Sequence, residues 1–84
     1  MAYSISIKRS AAKALGKIDW EDQQRIISAI EQLGLTPAAG SVLKGEFSGL
    51  RRIRVGNYRV VYEVQDQQLV VLVIRIGHRR EIYR

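Results

Sequence analysis

Arginine dominates the chemistry this chain can offer. Its 84 residues carry fourteen Lys+Arg, eight Asp+Glu, one histidine and no cysteine, for a net charge of +6. The charge is unevenly placed. Residues 1–50 hold six basic and five acidic groups, whereas residues 51–84 hold eight basic and three acidic, and all eight are arginine. A guanidinium is a planar fork that grips phosphate or carboxylate through two bonds. Arginine concentrated in one part of a basic chain points to a polyanionic partner; a merely soluble basic surface is the plainer alternative. With one histidine and no cysteine, neither a two-histidine ribonuclease scheme nor a histidine-rich or thiolate zinc site can be built. No GxxxxGK[ST] phosphate loop is present, and the acidic residues are too scattered to suggest a two-metal carboxylate cluster. No cofactor is called for. What remains is arginine electrostatics, which suits phosphoryl chemistry because charge builds on phosphate oxygens in the transition state. If the chain cuts RNA, the RNA's own 2′-hydroxyl is the best available nucleophile. Something else must then hold the RNA in line for attack.

These arginines need a scaffold, and the pattern of apolar residues supplies one. Tyr3–Ile7 alternates as a short strand. Ser10 is a candidate cap for a helix carrying Ala11, Ala12, Leu15 and Ile18, weakened by Gly16. Asp19 caps a second helix, with Glu21 and Asp22 in its first turn and Ile26, Ile27, Ile30 and Leu33 on one face. Gly34 and Pro37 end it, and Thr36 to Gly45 reads as a loop. From Leu50 onward three strands follow, roughly Leu50–Val55, Tyr58–Val64 and Leu69–Ile76. Gly56-Asn57 fits a type II′ hairpin turn, and Asp66-Gln67 is a weaker two-residue turn. The order strand, helix, helix, antiparallel meander argues for one α+β domain with both helices on one face of the sheet. At this length the chain buries roughly 60–65% of its unfolded surface, enough for one thin core. No apolar run reaches about 18 residues and the N-terminus lacks a secretory pattern, so neither a membrane partner nor export is expected and the expected location is cytoplasmic.

A Gly56-Asn57 hairpin sets Val55 against Tyr58, Arg54 against Arg59, Ile53 against Val60 and Arg52 against Val61. One face then collects Ile53, Val55, Tyr58, Val60 and Tyr62; the other collects Arg52, Arg54, Arg59, Val61 and Glu63. Like charges directly across strands are destabilising, and arginine cannot shed its proton to escape. Long side chains splaying into water, with Glu63 offsetting part of the repulsion, would be a structural explanation; a phosphate site explains the three arginines better. The Asp66-Gln67 turn would set Leu72 beside Val61 and Ile74 beside Arg59. That makes the arginine face half apolar, as protein-binding surfaces often are. The tail from Gly77 leaves near the Arg59 end, where Arg79 or Arg80 could join the cluster and Tyr83 could stack on a base or simply anchor the terminus. His78 is either catalytic or an ordinary surface residue.

Three segments together resemble the RelE/ParE superfamily of bacterial type II toxins, and its RelE-like branch in particular. They are Leu43-Lys44-Gly45, the hairpin Arg52-Ile53-Arg54-Val55-Gly56-Asn57-Tyr58-Arg59-Val60-Val61-Tyr62, and the ending Val73-Ile74-Arg75-Ile76-Gly77-His78-Arg79-Arg80-Glu81-Ile82-Tyr83. The resemblance implies a toxin that enters the ribosomal A site and cleaves mRNA without a metal, leaving a 2′,3′-cyclic phosphate. It implies that Arg52 and Arg54 occupy the two basic hairpin positions and that Arg59 stabilises the phosphate. Arg79 would stabilise leaving group or phosphate, and Tyr83 would stack on or orient the nucleotide. Some members have lysine where this chain has Arg52 and Arg54, and arginine cannot serve as the base. His78, Glu81, Tyr83 or a ribosomal group remain candidates, and His78 has the most convenient ordinary pKa. A RelB-like antitoxin is implied as partner, with operator DNA bound mainly through the antitoxin. The alternative within the superfamily is a ParE-like inhibitor of DNA gyrase that cleaves no RNA; a plain nucleic-acid-binding module, or an inactive relic held by its antitoxin, is a third reading.

Overall fold

Backbone pairing in the computed structural model, which describes residues 2–43 and 49–78, builds one five-stranded mixed sheet. The elements are β1 (Ser4–Ile7), α1 (Arg9–Gly16), α2 (Trp20–Leu33), a 3₁₀ turn (Pro37–Ala39), β2 (Ser41–Val42), β3 (Leu50–Val55), β4 (Tyr58–Gln65) and β5 (Val70–His78). Their order across the sheet is β1-β5-β4-β3-β2, with β1 parallel to β5 and the other pairs antiparallel. The expected α+β class and the meander are present. The first strand closes one edge of the sheet, and β2 closes the other. Sequence patterning read Ser41 and Val42 as loop, because two residues are too few to show alternation.

Both helices lie on one face. Ala11 and Leu15 of α1, with Ile26, Ile30 and Leu33 of α2, pack with Val60, Tyr62, Val71, Val73 and Ile76 into a single core. The helix starts differ from expectation in one case. Ser10 is not the cap of α1: the helix begins at Arg9, and Ala12 N–H donates to the Lys8 carbonyl at 2.9 Å. Lys8 N–H is still bonded to Val73 of the sheet at 2.9 Å, so the chain passes from strand to helix with no spare residue. Asp19 does hold the cap position of α2, but through its backbone carbonyl, which accepts from Gln23 at 2.8 Å. Gly34 follows α2 with φ of −63°, so left-handed geometry is not what calls for glycine there. A Cβ would sit 2.9 Å from the Tyr3 carbonyl oxygen, where β1 packs against the helix end.

The β3–β4 register is Val55↔Tyr58, Arg54↔Arg59, Ile53↔Val60 and Arg52↔Val61, as the Gly56-Asn57 turn requires. Gly56 takes φ of +59° while Asn57 does not enter positive φ, which matches the type II′ form. The β4–β5 connection corrects the sequence reading. Asp66-Gln67 is not a two-residue turn; Gln65 pairs with Val70 around a four-residue loop in which Leu69 takes φ of +56°. A primed two-residue turn needs positive φ at its first central residue, and Asp66-Gln67 supplies no glycine there. A β-bulge then falls between Tyr62↔Val73 and Val61↔Arg75, with Ile74 as the extra residue. Leu72 therefore lies beside Glu63 rather than Val61, and Arg59 lies beside Gly77 rather than Ile74.

A buried tyrosine ties β2 to this frame. Tyr62 is fully buried, and its hydroxyl donates to the Pro37 carbonyl at 2.8 Å and accepts from Gly40 N–H at 2.9 Å. Arg51, beside Tyr62 on the helix side, donates from one Nη to the Gly40 and Ala38 carbonyls at 2.9 and 3.4 Å. One of the arginines in the basic half thus serves the fold.

Two tyrosines make stability sensitive to alkali. The Tyr3 hydroxyl donates to Asp66 Oδ1 at 2.6 Å, and this bond, helped by desolvation and the carboxylate's charge, raises its pKa above the ordinary 10.0. Burial raises the Tyr62 pKa, opposed in part by the Gly40 N–H and the Arg51 charge. A raised folded-state pKa means the contribution is complete below the unfolded value and lost as pH rises through the folded one. Stability is expected to hold up to about pH 10 and then fall. Chemical denaturation from pH 8 to 11, beside an ultraviolet tyrosine titration, checks it; unchanged stability while both tyrosines ionise would contradict it.

Candidate functional site

The face away from the helices carries the expected arginines. Arg54 and Arg59 sit directly across β3 and β4, and Arg52 is two residues along from Arg54 on the same side. Their environments differ. Arg54 is exposed and Arg52 half-buried, while Arg59, on the central strand, is only 7% exposed. A permanently charged guanidinium so far out of water interacts more strongly with a phosphate than an exposed one does. Val61, Leu72 and Ile74, all half-buried, lie on the same face, so it is part apolar as anticipated. Glu63 shares it and accepts a hydrogen bond from Gln65 Nε2 at 2.8 Å.

The bulge adds a residue that sequence reasoning missed. Arg75 is exposed and opposes Val61, on the arginine face. Its signal was a conflict: plain alternation from Val71 and Val73 would drive Arg75 into the core. A charge at a core-facing position within an apolar strand is grounds to expect a bulge.

The same bulge separates His78 from the cluster. His78 pairs with Tyr58 on the helix side, and the two rings meet edge to face with centroids 5.6 Å apart. The structure therefore brings Arg52, Arg54 and Arg59 together and leaves His78 on the other face. Arg79, Arg80, Glu81 and Tyr83, and the Lys44-Gly45 segment, lie outside the described residues. Among the described residues no helix is long and apolar enough to cross a membrane.

Like charges directly across two strands cost folding energy. Arg54→Thr, which keeps strand propensity, is expected to stabilise the chain by about 0.2–1 kcal/mol while weakening any polyanion bound there. Urea denaturation and RNA binding by the same variant check it. A variant that loses stability would show that the pair is held by contacts stronger than its repulsion.

A family model described as the ParE toxin of type II toxin–antitoxin systems matches residues 5–83. Toxin RelG of Mycobacterium tuberculosis is 28% identical, over 100% of this chain and 99% of its own. Toxin RelE of the same organism is 30% identical, over 98% and 87%. The toxin–antitoxin complex RelBE2 of M. tuberculosis contains a chain of TM-score 0.86 and 26% identity, covering 94% of this chain and 100% of that one. An archaeal RelE–RelB complex from Pyrococcus horikoshii gives TM-score 0.80 and 28% identity, over 96% and 99%. The fold and the length match these relatives over nearly the whole chain. The chain belongs to the RelE/ParE superfamily of type II toxin–antitoxin toxins, as a RelE-like member.

Proposed function

We propose that this toxin is a ribosome-dependent mRNA endonuclease that cleaves in the A site and so inhibits translation. The observation that supports it most is the cross-strand pair Arg54–Arg59, with Arg52 on the same face. Such a pair is unfavourable for folding and favourable for a phosphate with developing charge. The 2′-oxygen of the RNA attacks the adjacent phosphorus, and the 5′-oxygen of the next nucleotide leaves. The products are a 2′,3′-cyclic phosphate and a 5′-hydroxyl. Arg59 and Arg54 stabilise the non-bridging oxygens, and Arg52 draws the strand onto the face. Arg79 stabilises the leaving group or phosphate, and Tyr83 stacks on the nucleotide. The 2′-hydroxyl proton passes to a base and the leaving oxygen takes one from an acid. Glu81, Tyr83 and ribosomal groups are the candidates for these two roles, since His78 lies across the sheet. The ribosome holds the RNA in line, which the small open arginine face does not do alone.

A RelB-like antitoxin covers the arginine face in the resting complex, its acidic groups meeting the arginines and its apolar side chains meeting Val61, Leu72 and Ile74. Operator DNA is bound by that complex mainly through the antitoxin. The family model's ParE description favours a second reading, gyrase inhibition without RNA cleavage. Primer extension on cellular mRNA after toxin induction separates them. Cuts within translated codons, absent from an Arg79→Ala strain, are expected; a DNA-damage response with intact messages would support the gyrase reading instead.

A further inference from the structure

The face that bears the helices has its own opening, at the same end of the sheet as Arg54 and Arg59. A cleft of about 360 Å³ is lined by Ala14, Lys17, Ile18, Tyr58, Ile76, Gly77 and His78. We propose that this cleft binds one nucleotide of single-stranded RNA, next to the one on the arginine face. The inference rests on the RNA-cleaving reading above.

Three observations carry it. The lining combines an aromatic ring, an imidazole and an ammonium group with apolar walls, which suits a base that stacks and a phosphate beside it. Its volume lies at the small end of ligand clefts, about 300–1,000 Å³, and so fits one nucleotide rather than several. Among the described residues no carboxylate lines it. Another cleft, of about 410 Å³, includes Asp66 in its lining and suits an anion less well.

A second observation is the path of positive charge. Arg9, Lys13 and Lys17 fall at i, i+4 and i+8 of α1 and its end, so they share one helix face. All three are exposed, and the stripe ends at the cleft. The third is register. Tyr58 and His78 pair with each other, and Arg59 and Gly77 are the next pair. Side chains of successive residues point to opposite faces. An RNA strand passing the Gly56-Asn57 end of the sheet therefore goes from the arginine face to the cleft within a nucleotide step. In this arrangement His78 holds a neighbouring nucleotide and takes no part in proton transfer at the cleaved linkage.

The test uses the purified full chain and adenosine 5′-monophosphate, with adenosine and inorganic phosphate as separate arms. His78 is the only histidine, so its imidazole NMR signals report on the cleft without ambiguity. Saturable shifts of those signals with the nucleotide are expected, with affinity at least about tenfold above either arm alone, because stacking and phosphate contact act together. Lys17→Ala is expected to weaken binding by about tenfold, and Arg59→Ala to leave it unchanged. On ribosome-bound mRNA, Lys17→Ala should raise KM with kcat kept. Unmoved His78 signals, or equal shifts in the Lys17 variant, overturn the proposal. So do shifts caused by the antitoxin chain and by no nucleotide, which would make the cleft a protein contact. Nucleotide binding here without mRNA cleavage would instead remove the endonuclease reading and leave a nucleotide site.

Discussion

Arg59→Ala should cleave ribosome-bound mRNA about 10²–10³ times more slowly than the parent chain under single-turnover conditions. The reasons are position and environment. Arg59 is on the central strand, opposite Arg54 and beside Gly77. At 7% exposure its charge has already lost most of its water, so a phosphate oxygen gains more from it than from Arg54. Arg59→Lys should recover little, because an ammonium cannot reproduce a two-bond fork. The change removes one member of a like-charge pair but also empties a buried position, so rate and stability are read on the same variant. Circular dichroism and denaturant midpoints of the same preparations separate the two effects. A variant that cleaves at the parent's rate would remove Arg59 from the chemistry.

Gly40→Ala should destabilise the fold by about 2–4 kcal/mol, through overpacking and broken buried hydrogen bonds. Its backbone, φ −79° and ψ 159°, suits any residue, so the cost is not conformational. The added Cβ would lie 2.5 Å from both the Arg52 carbonyl oxygen and the Tyr62 hydroxyl, and 2.9 Å from Tyr62 Cε1. The strand carbonyl cannot retreat without breaking the sheet, and Tyr62 is fully buried. Since β2 pairs Ser41 with Arg52, the damage reaches the edge of the arginine face. Tyr62→Phe alone should cost about 1–3 kcal/mol by leaving the Gly40 N–H and Pro37 carbonyl without their partner. The double variant should lose less than the sum, because phenylalanine removes one of the clashing atoms. Urea midpoints for the three proteins check both statements; strict additivity would mean that the clash is relieved elsewhere.

The hairpin was legible because two signals agree. Gly56 supplies the positive φ of its turn, and Arg-Ile-Arg-Val alternates in step with it, so charge and burial fix one register. The second helix was legible from the spacing of Ile26, Ile30 and Leu33, which all reach the core. The β4–β5 pairing was not, since Val70 to Ile74 is apolar throughout and supports any register. Only Arg75 marks the bulge, and that bulge decides that His78 leaves the arginine face and Arg75 joins it. The parallel seat of β1 beside β5 depends on long-range packing that four alternating residues do not encode.

In the proposed mechanism, positive charge on one sheet face promotes attack by the RNA's own 2′-hydroxyl. Single-turnover cleavage of ribosome-programmed mRNA carrying one 2′-deoxynucleotide at the cut position tests it directly. The substituted message should remain whole, while the unmodified one yields a 2′,3′-cyclic phosphate and a 5′-hydroxyl. Scission of both at the same rate and position, with other end groups, would show that the nucleophile is not the RNA's own and would contradict the account.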